Sequence, residues 1–289
     1  MRSEQEMYRL FYRIADEDDR ILAMYLNGSR TNSNAPKDIF QDYDLVYVVE
    51  NTESFIRDRD WIRQFGDILY MQYPDESPFY PSDRENLYGW LIQFSDGNRV
   101  DLHVESVDHA LKNIEKDSLC KVLLDKKQIL PPLPKASDRS YWITKPSKKE
   151  FSACCNEFWW CSNNLAKGMW RKELPYVQDV ANRVVRVELE RMLGWKIGIL
   201  QNFSVSVGKS SKYMYRWLTE SEYRRYLSTY FGGSIEEAWD SVIAMCDLFE
   251  ETAVWTANRM HYSYNQAEAN AARQFLLHVK ELPEDAEEV

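Results

Sequence analysis

The sequence predicts an α+β protein in two parts, a mixed β-sheet with helices followed by an α-helical bundle. Three observations carry this. Short apolar runs of strand character crowd the first 134 residues, a proline-rich stretch at Pro131-Pro132-Leu133-Pro134 interrupts them, and beyond it apolar residues recur at helical spacing. Proline can continue neither a helix nor a central strand, so the stretch reads as a linker between domains 1–134 and 135–289.

Taken in order, Met7, Leu10, Phe11 and Ile14 stand at helical spacing and lead into the apolar run Ile21 to Leu26, which reads as a helix and then a strand. That strand must stop at Asn27-Gly28-Ser29, and the segment Thr31 to Pro36 is turn-rich enough to form a loop. Tyr43 to Val49 is the second strand. A helix over Glu53 to Phe65 precedes further strands at Ile68–Tyr73, Gly89–Phe94 and Arg99–Val104. The last two are joined by Ser95-Asp96-Gly97-Asn98, and Asp-Gly between apolar runs signals a hairpin. The sheet is therefore expected to be mixed, with helices covering one face. In the second part, Ser147 before Glu150 has the spacing of a capping box and opens a helix through Trp170. Further helices are expected near 177–193, 212–218, 221–231, 235–259 and 266–279.

At 289 residues the chain can bury a sizeable core, and 44% hydrophobic with 14% aromatic residues is a globular composition. No apolar run approaches the roughly 20 residues needed to span a bilayer, and the polar start carries no signal-peptide core. A cytoplasmic protein without a membrane partner is expected. Five cysteines without a Cys-x-x-Cys pair suggest reduced, buried thiols rather than a disulfide framework or a zinc site. A net charge of −10 and the lack of a Lys/Arg-rich stretch argue against a nucleic acid partner and suit a cationic small molecule. A monomer or weak homodimer is expected.

The chemistry concentrates in three segments: Leu26-Asn27-Gly28-Ser29-Arg30, then Asp42-Tyr43-Asp44-Leu45, then Val100-Asp101-Leu102. Alternate residues of a strand share a face, so the carboxylates of Asp42 and Asp44 lie side by side. Asp101 joins them if its strand is a neighbour. Three converging carboxylates are costly unless cations neutralise them, and hard oxygen ligands favour Mg²⁺. Two such ions about 3.5–4 Å apart stabilise both the attacking and the leaving oxygen of a phosphoryl displacement. Gly28 allows close approach of a phosphate, Ser29 offers a hydroxyl and an N–H, and Arg30 adds charge. A lone Asp-x-Asp is usually a solvated strand face; the full set makes coincidence the minority reading. Asp101 either binds metal or accepts a proton, and these roles stay open. His103, two residues on, reads as a structural histidine. Gly208-Lys209-Ser210 lacks the earlier glycine of a Walker loop, since position 203 is Phe.

Gly-Ser, then Asp-x-Asp, then a later acid resembles the polymerase β-like nucleotidyltransferase superfamily. The likeness is closer still. Met24-Tyr25-Leu26-Asn27-Gly28-Ser29-Arg30, Phe40-Gln41-Asp42-Tyr43-Asp44, Gln93 to Asp101, Cys154-Cys155-Asn156-Glu157-Phe158-Trp159-Trp160, Ala166-Lys167-Gly168-Met169-Trp170 and Phe203 to Lys209 resemble the aminoglycoside 6-adenylyltransferases, and the resemblance covers nearly the whole chain. It implies a nucleotidyltransferase domain followed by a helical domain that contacts nucleotide and substrate. It implies ATP and Mg²⁺, transfer of AMP to the 6-hydroxyl of streptomycin, and a drug held in the cleft between the domains. Lys212 and Tyr230 match by local context the Lys and Tyr that contact ATP in related enzymes, and Asp179 matches a substrate-contacting acid. Glu157, Trp160 and Trp170 are added as acceptor contacts, because aromatic faces and carboxylates attract cationic groups. Most of the rings on that helix are nonetheless expected in the core. Two other readings remain: a nucleotidyltransferase for another acceptor, such as a lincosamide or a protein hydroxyl, and a non-catalytic nucleotide-binding module.

Overall fold

Residues 1–289 are described by a computed structural model, in which the chain forms two compact units, Met1–Ser140 and Tyr141–Val289. No helix is long and apolar enough to cross a membrane.

The first unit opens with helix α1 (Glu4–Glu17), started by a complete capping box in which Ser3 and Glu6 satisfy each other's backbone N–H groups. Its apolar stripe of Met7, Phe11 and Ile14 is fully buried. Six strands follow: β1 (Ile21–Asn27), β2 (Tyr43–Val49), β3 (Ile68–Gln72), β4 (Leu87–Phe94), β5 (Arg99–Ser106) and β6 (Cys120–Asp125). They form one sheet in the order β3-β4-β5-β2-β1-β6, mixed because β2 runs parallel to β5 while the other pairs are antiparallel. The β4–β5 hairpin turns where expected, with Gly97 at φ 89°.

The expectation that helices cover one face of this sheet is corrected: both faces are covered. On one side α1, α2 (Glu53–Arg57) and a 3₁₀ turn at Trp61–Phe65 pack Phe11, Phe55, Trp61 and Phe65 against Tyr43, Tyr47 and Trp90. On the other side α3 (Val107–Asn113), with Ile129, Leu130 and Leu133, covers Ala23, Tyr25, Val46 and Val48. The reason lies in β2, which is apolar on both faces and so needs cover on both. The single helix expected over 53–65 is broken at Asp58–Asp60. Two elements without an expectation, α3 and β6, are short, and β6 is a half-exposed edge strand whose apolar pattern is weak.

The second unit is all helical: α4 (Lys148–Trp170), α5 (Leu174–Val180), α6 (Arg186–Leu200), α7 (Glu220–Leu227), α8 (Ile235–Met260) and α9 (Gln266–Glu281). Ser147 and Glu150 form the capping box of α4. A π-helical turn at Ala181–Val185 joins α5 to α6 without a break. Phe158 stacks on Phe249 at 3.6 Å between ring centroids, with Trp159 edge-on to both, so α4 and α8 share the centre of the core. No regular helix forms at 212–218; two 3₁₀ turns, Lys209–Ser211 and Met214–Arg216, stand there instead. Gly208, Ser210 and Ser211 all have positive φ, which interrupts helical propagation just upstream.

Candidate active site

Register assembles the acidic set. β2 and β5 pair in parallel with Asp44 directly beside Asp101, and β1 and β2 pair with Asn27 beside Asp44. Asp42 stands just before β2, on the same side as Asp44 by strand alternation. Oxygen atoms of Asp42, Asp44 and Asp101 all lie within 4.8 Å of one another, a spacing that a divalent cation bridges. The structure thus brings together all three carboxylates that the sequence singled out.

Gly28 meets Asp44 more closely than a side chain would allow. Its φ is +70°, and a Cβ built there would lie 2.0 Å from Asp44 Oδ2. The glycine supplies both the left-handed backbone that starts the 3₁₀ turn Gly28–Thr31 and the space into which Asp44 projects. Ser29 is half-buried within that turn, which is closed by Thr31 Oγ1 donating to Gly28 O at 2.9 Å.

Arg30 is held differently from the expectation that it adds charge for a phosphate. Its Nε donates to Asp42 O at 2.8 Å and its Nη2 to Gln41 O at 2.6 Å, while the guanidinium stacks 3.5 Å over Tyr43. In this structure it fixes the backbone that carries Asp42. Arg99 is the cation at the carboxylates. It grips Asp101 through two hydrogen bonds of 2.8 Å and approaches Asp42 at 3.9 Å. The sequence reading passed over Arg99, although its place two residues before Asp101 puts both on one strand face.

Burial, and then the charges of Asp42 and Asp101, push the Asp44 carboxyl from its ordinary 3.8 up to about 7. A carboxyl whose folded value is raised binds its proton more tightly in the native state, so it withdraws stability as pH rises from about 4 to 7. Comparing the metal-free protein with Asp44→Asn isolates this group from the others. The variant is expected to match wild type near pH 4 and to exceed it by about 4 kcal/mol above pH 7. Denaturant unfolding in chelator at both pH values measures the difference; a gap that does not widen with pH refutes the strained state of Asp44.

Next along the same face of β5 lies His103, half-buried, with burial holding its imidazole below the usual range. Gly89, its partner across β4, has no side chain because the ring lies over it, 2.7 Å from where a Cβ would stand.

In the second unit, Lys212 is exposed, with its ammonium 5.1 Å from the Tyr213 ring centroid. Tyr230 is half-exposed, stacked on Arg186 at 3.6 Å, and its hydroxyl meets Tyr226 Oη at 2.8 Å. Glu190 links these segments: it accepts from Ser211 at 2.9 Å, Tyr226 at 2.6 Å and Tyr230 at 3.4 Å. No sequence motif marks Glu190, because its partners come from segments remote in the chain. Glu157 lines a hollow of about 520 Å³ together with Glu150, Glu188, Arg191 and Trp195. The structure does not gather the other acceptor candidates into that hollow. Asp179 is exposed on α5 and paired with Arg183 at 2.7 Å, Trp160 is largely exposed, and Trp170 is half-buried with its indole N–H donating to Pro283 O.

Comparison with known proteins identifies relatives over nearly the whole chain. Residues 1–279 match the family model described as streptomycin adenylyltransferase. The chain is 39% identical over 268 residues to an aminoglycoside 6-adenylyltransferase of Bacillus subtilis (strain 168), spanning 91% of this chain and 93% of that one. It is 37% identical over 266 residues to an enzyme of the same name from Campylobacter jejuni, spanning 91% of each. A third, from Staphylococcus aureus, is 33% identical over 271 residues, or 93% of this chain and 96% of that one.

Proposed function

This chain belongs to the streptomycin adenylyltransferase family and is a nucleotidyltransferase, and from that premise we propose that it transfers AMP from ATP to the 6-hydroxyl of streptomycin with release of pyrophosphate. The observation that carries the reading is the convergence of Asp42, Asp44 and Asp101 beside Gly28. These residues fit a divalent metal. Their oxygens are close enough to share one, and Asp44, raised first by burial and then by its two acidic neighbours, is a carboxyl whose charge a cation would favour.

Asp42 and Asp44 are assigned to hold Mg²⁺. When bound, the metal neutralises charge on the triphosphate and on the departing pyrophosphate. Ser29 presents its backbone N–H and hydroxyl to the outer phosphates, and Gly28, whose own N–H donates to Leu119 O at 3.1 Å, keeps the approach free of a side chain. Asp101, on the neighbouring strand, closes the ligand set and takes the proton of the acceptor hydroxyl, a group too weak an acid to ionise unaided at neutral pH. The hydroxyl oxygen forms its bond to the α-phosphorus as the bond from that phosphorus to the bridging oxygen of pyrophosphate breaks. Positioning supplies much of the remaining rate.

In the helical unit, Lys212 and Tyr230 are assigned to the nucleotide, their segments tied together through Glu190. Glu157, Asp179, Trp160 and Trp170 are assigned to the acceptor. Glu157 has the strongest support, since it lines a hollow with Glu150, Glu188 and Trp195, in which Arg191 is paired with Glu188.

Purified protein incubated with ATP, Mg²⁺ and one acceptor at a time tests the reading. Streptomycin is expected to trigger pyrophosphate release and to gain the mass of one AMP. Release with a lincosamide and none with streptomycin overturns the acceptor assignment, and release with no acceptor in the panel overturns the activity.

A further inference from the structure

The sheet face that carries the acidic set continues into a cavity. Tyr25, Val46, His103 and Glu105 lie on that face of β1, β2 and β5, and with α3 and the residues after it they enclose about 240 Å³. Asn27 belongs to both places: it pairs with Asp44 across β1 and β2, and it lines the cavity. His103 follows Asp101 by two residues, so the cavity begins about 7 Å along the strand from the third carboxylate.

Its wall is selective. Glu105 is only 3% exposed, yet no Lys or Arg lines the cavity with it. Its two oxygens are held by the Tyr25 hydroxyl and by His109 Nδ1, which fix the carboxyl in place and leave acceptor capacity on each oxygen. Asp117 also lines the cavity; it accepts from Leu119 N at 2.9 Å through one oxygen, and its other oxygen makes no hydrogen bond within the protein. His103 also makes no hydrogen bond. Gly89 is what allows its ring to lie flat on the sheet instead of filling the space. A buried carboxyl with no Lys or Arg beside it, a second with a free oxygen and flanking apolar walls from Val46, Leu87 and Ile114 suit a planar cation on a ring.

We propose that this cavity is the acceptor subsite, in which Glu105 and Asp117 receive the guanidinium carried by the ring carbon next to the reacting hydroxyl. The inference rests on the streptomycin reading and deepens it. In streptomycin the 6-hydroxyl stands beside a guanidinium-bearing carbon, so an oxygen placed at Asp101 directs that guanidinium along β5 into the cavity. Glu105 and Asp117 are specificity residues in this arrangement; the bond-making stays with the triad.

The test uses the full chain with ATP and excess Mg²⁺. Two acceptors are compared, streptomycin and an analogue in which that guanidinium is replaced by a neutral carbamoyl group. Wild type is expected to show a KM about ten- to a hundredfold higher for the analogue. Asp117→Asn is expected to raise the KM for streptomycin by a similar factor, while its KM values for ATP and for the analogue stay at those of wild type. Glu105→Gln, checked for folding by its thermal transition, should shift the same constant. A general structural defect moves all three constants together and counts against the proposal. So does a streptomycin KM within twofold of wild type in both variants. Calorimetric titration with streptidine in excess Mg²⁺ separates this proposal from the reaction itself. Binding that Asp117→Asn weakens supports the cavity even if streptomycin releases no pyrophosphate, whereas absence of binding to wild type overturns the cavity even if the reaction proceeds.

Discussion

Asp42→Asn and Asp44→Asn each lower turnover by about a thousandfold or more while the protein stays folded. Removing one ligand charge from a metal that stabilises both ends of a phosphoryl displacement costs about 4 kcal/mol in the transition state, and about 1.4 kcal/mol corresponds to each tenfold loss. The two variants differ in what they do to the resting protein. Asp44 is the carboxyl pushed up to about 7, so replacing it removes the cost of burying its charge, and its repulsion with Asp42 and Asp101, and raises metal-free stability. Asp42 lies at the edge of the set, near Arg99, and the same gain is not expected there. Mg²⁺ is expected to raise the wild-type melting temperature at pH 7.5 through preferential binding to the native state. Neither variant is expected to respond. Pyrophosphate release measured beside melting curves with and without Mg²⁺ decides the matter, and either variant keeping activity within tenfold of wild type would falsify the metal assignment.

Gly28→Ala is expected to lower activity by a hundredfold or more through the same carboxylate, without touching any charged group. A methyl at this position would stand 2.0 Å from Asp44 Oδ2, well inside contact distance, and the backbone φ of +70° is itself unfavourable to alanine by about 1–2 kcal/mol. The turn must change or Asp44 must swing away. A displacement of about 1 Å in a positioning group is enough for a hundredfold loss. Circular dichroism confirms that the sheet survives, and the kinetic constants then locate the defect in kcat rather than in the acceptor KM. Activity within threefold of wild type would show that Gly28 and Asp44 are not coupled.

Much of the first unit was legible because its signals are local. The apolar run within Tyr43–Val49, the Asp-Gly turn between β4 and β5, and the glycine after β1 each constrain a few neighbouring residues, and each produced the element expected. The carboxylates were legible for the same reason: Asp42 and Asp44 share a face by strand geometry, whichever sheet they join. The likeness to the adenylyltransferases, carried by short motifs, supplied the reaction and the acceptor that physical chemistry alone would not. The chain's own pattern also located the helical unit, since Ser147 and Glu150 spell out the start of α4.

What tertiary structure decided is everything that depends on which remote segments meet. Only the parallel register of β2 with β5 sets Asp101 beside Asp44. Arg30 and Arg99 look alike as charges in the sequence, yet the first is spent on the carbonyls of Gln41 and Asp42 and the second stands at the carboxylates. Glu190 collects Ser211, Tyr226 and Tyr230 from segments up to 40 residues away. Glu105, one of several polar residues that alternate along β5, acquires meaning only when Tyr25 and His109 close around it and α3 roofs the cavity. Side-chain period and turn chemistry act over a few residues and are written in order along the chain. Charge pairing, burial and cavities act through space, and they exist only once the fold has brought those distant residues into contact.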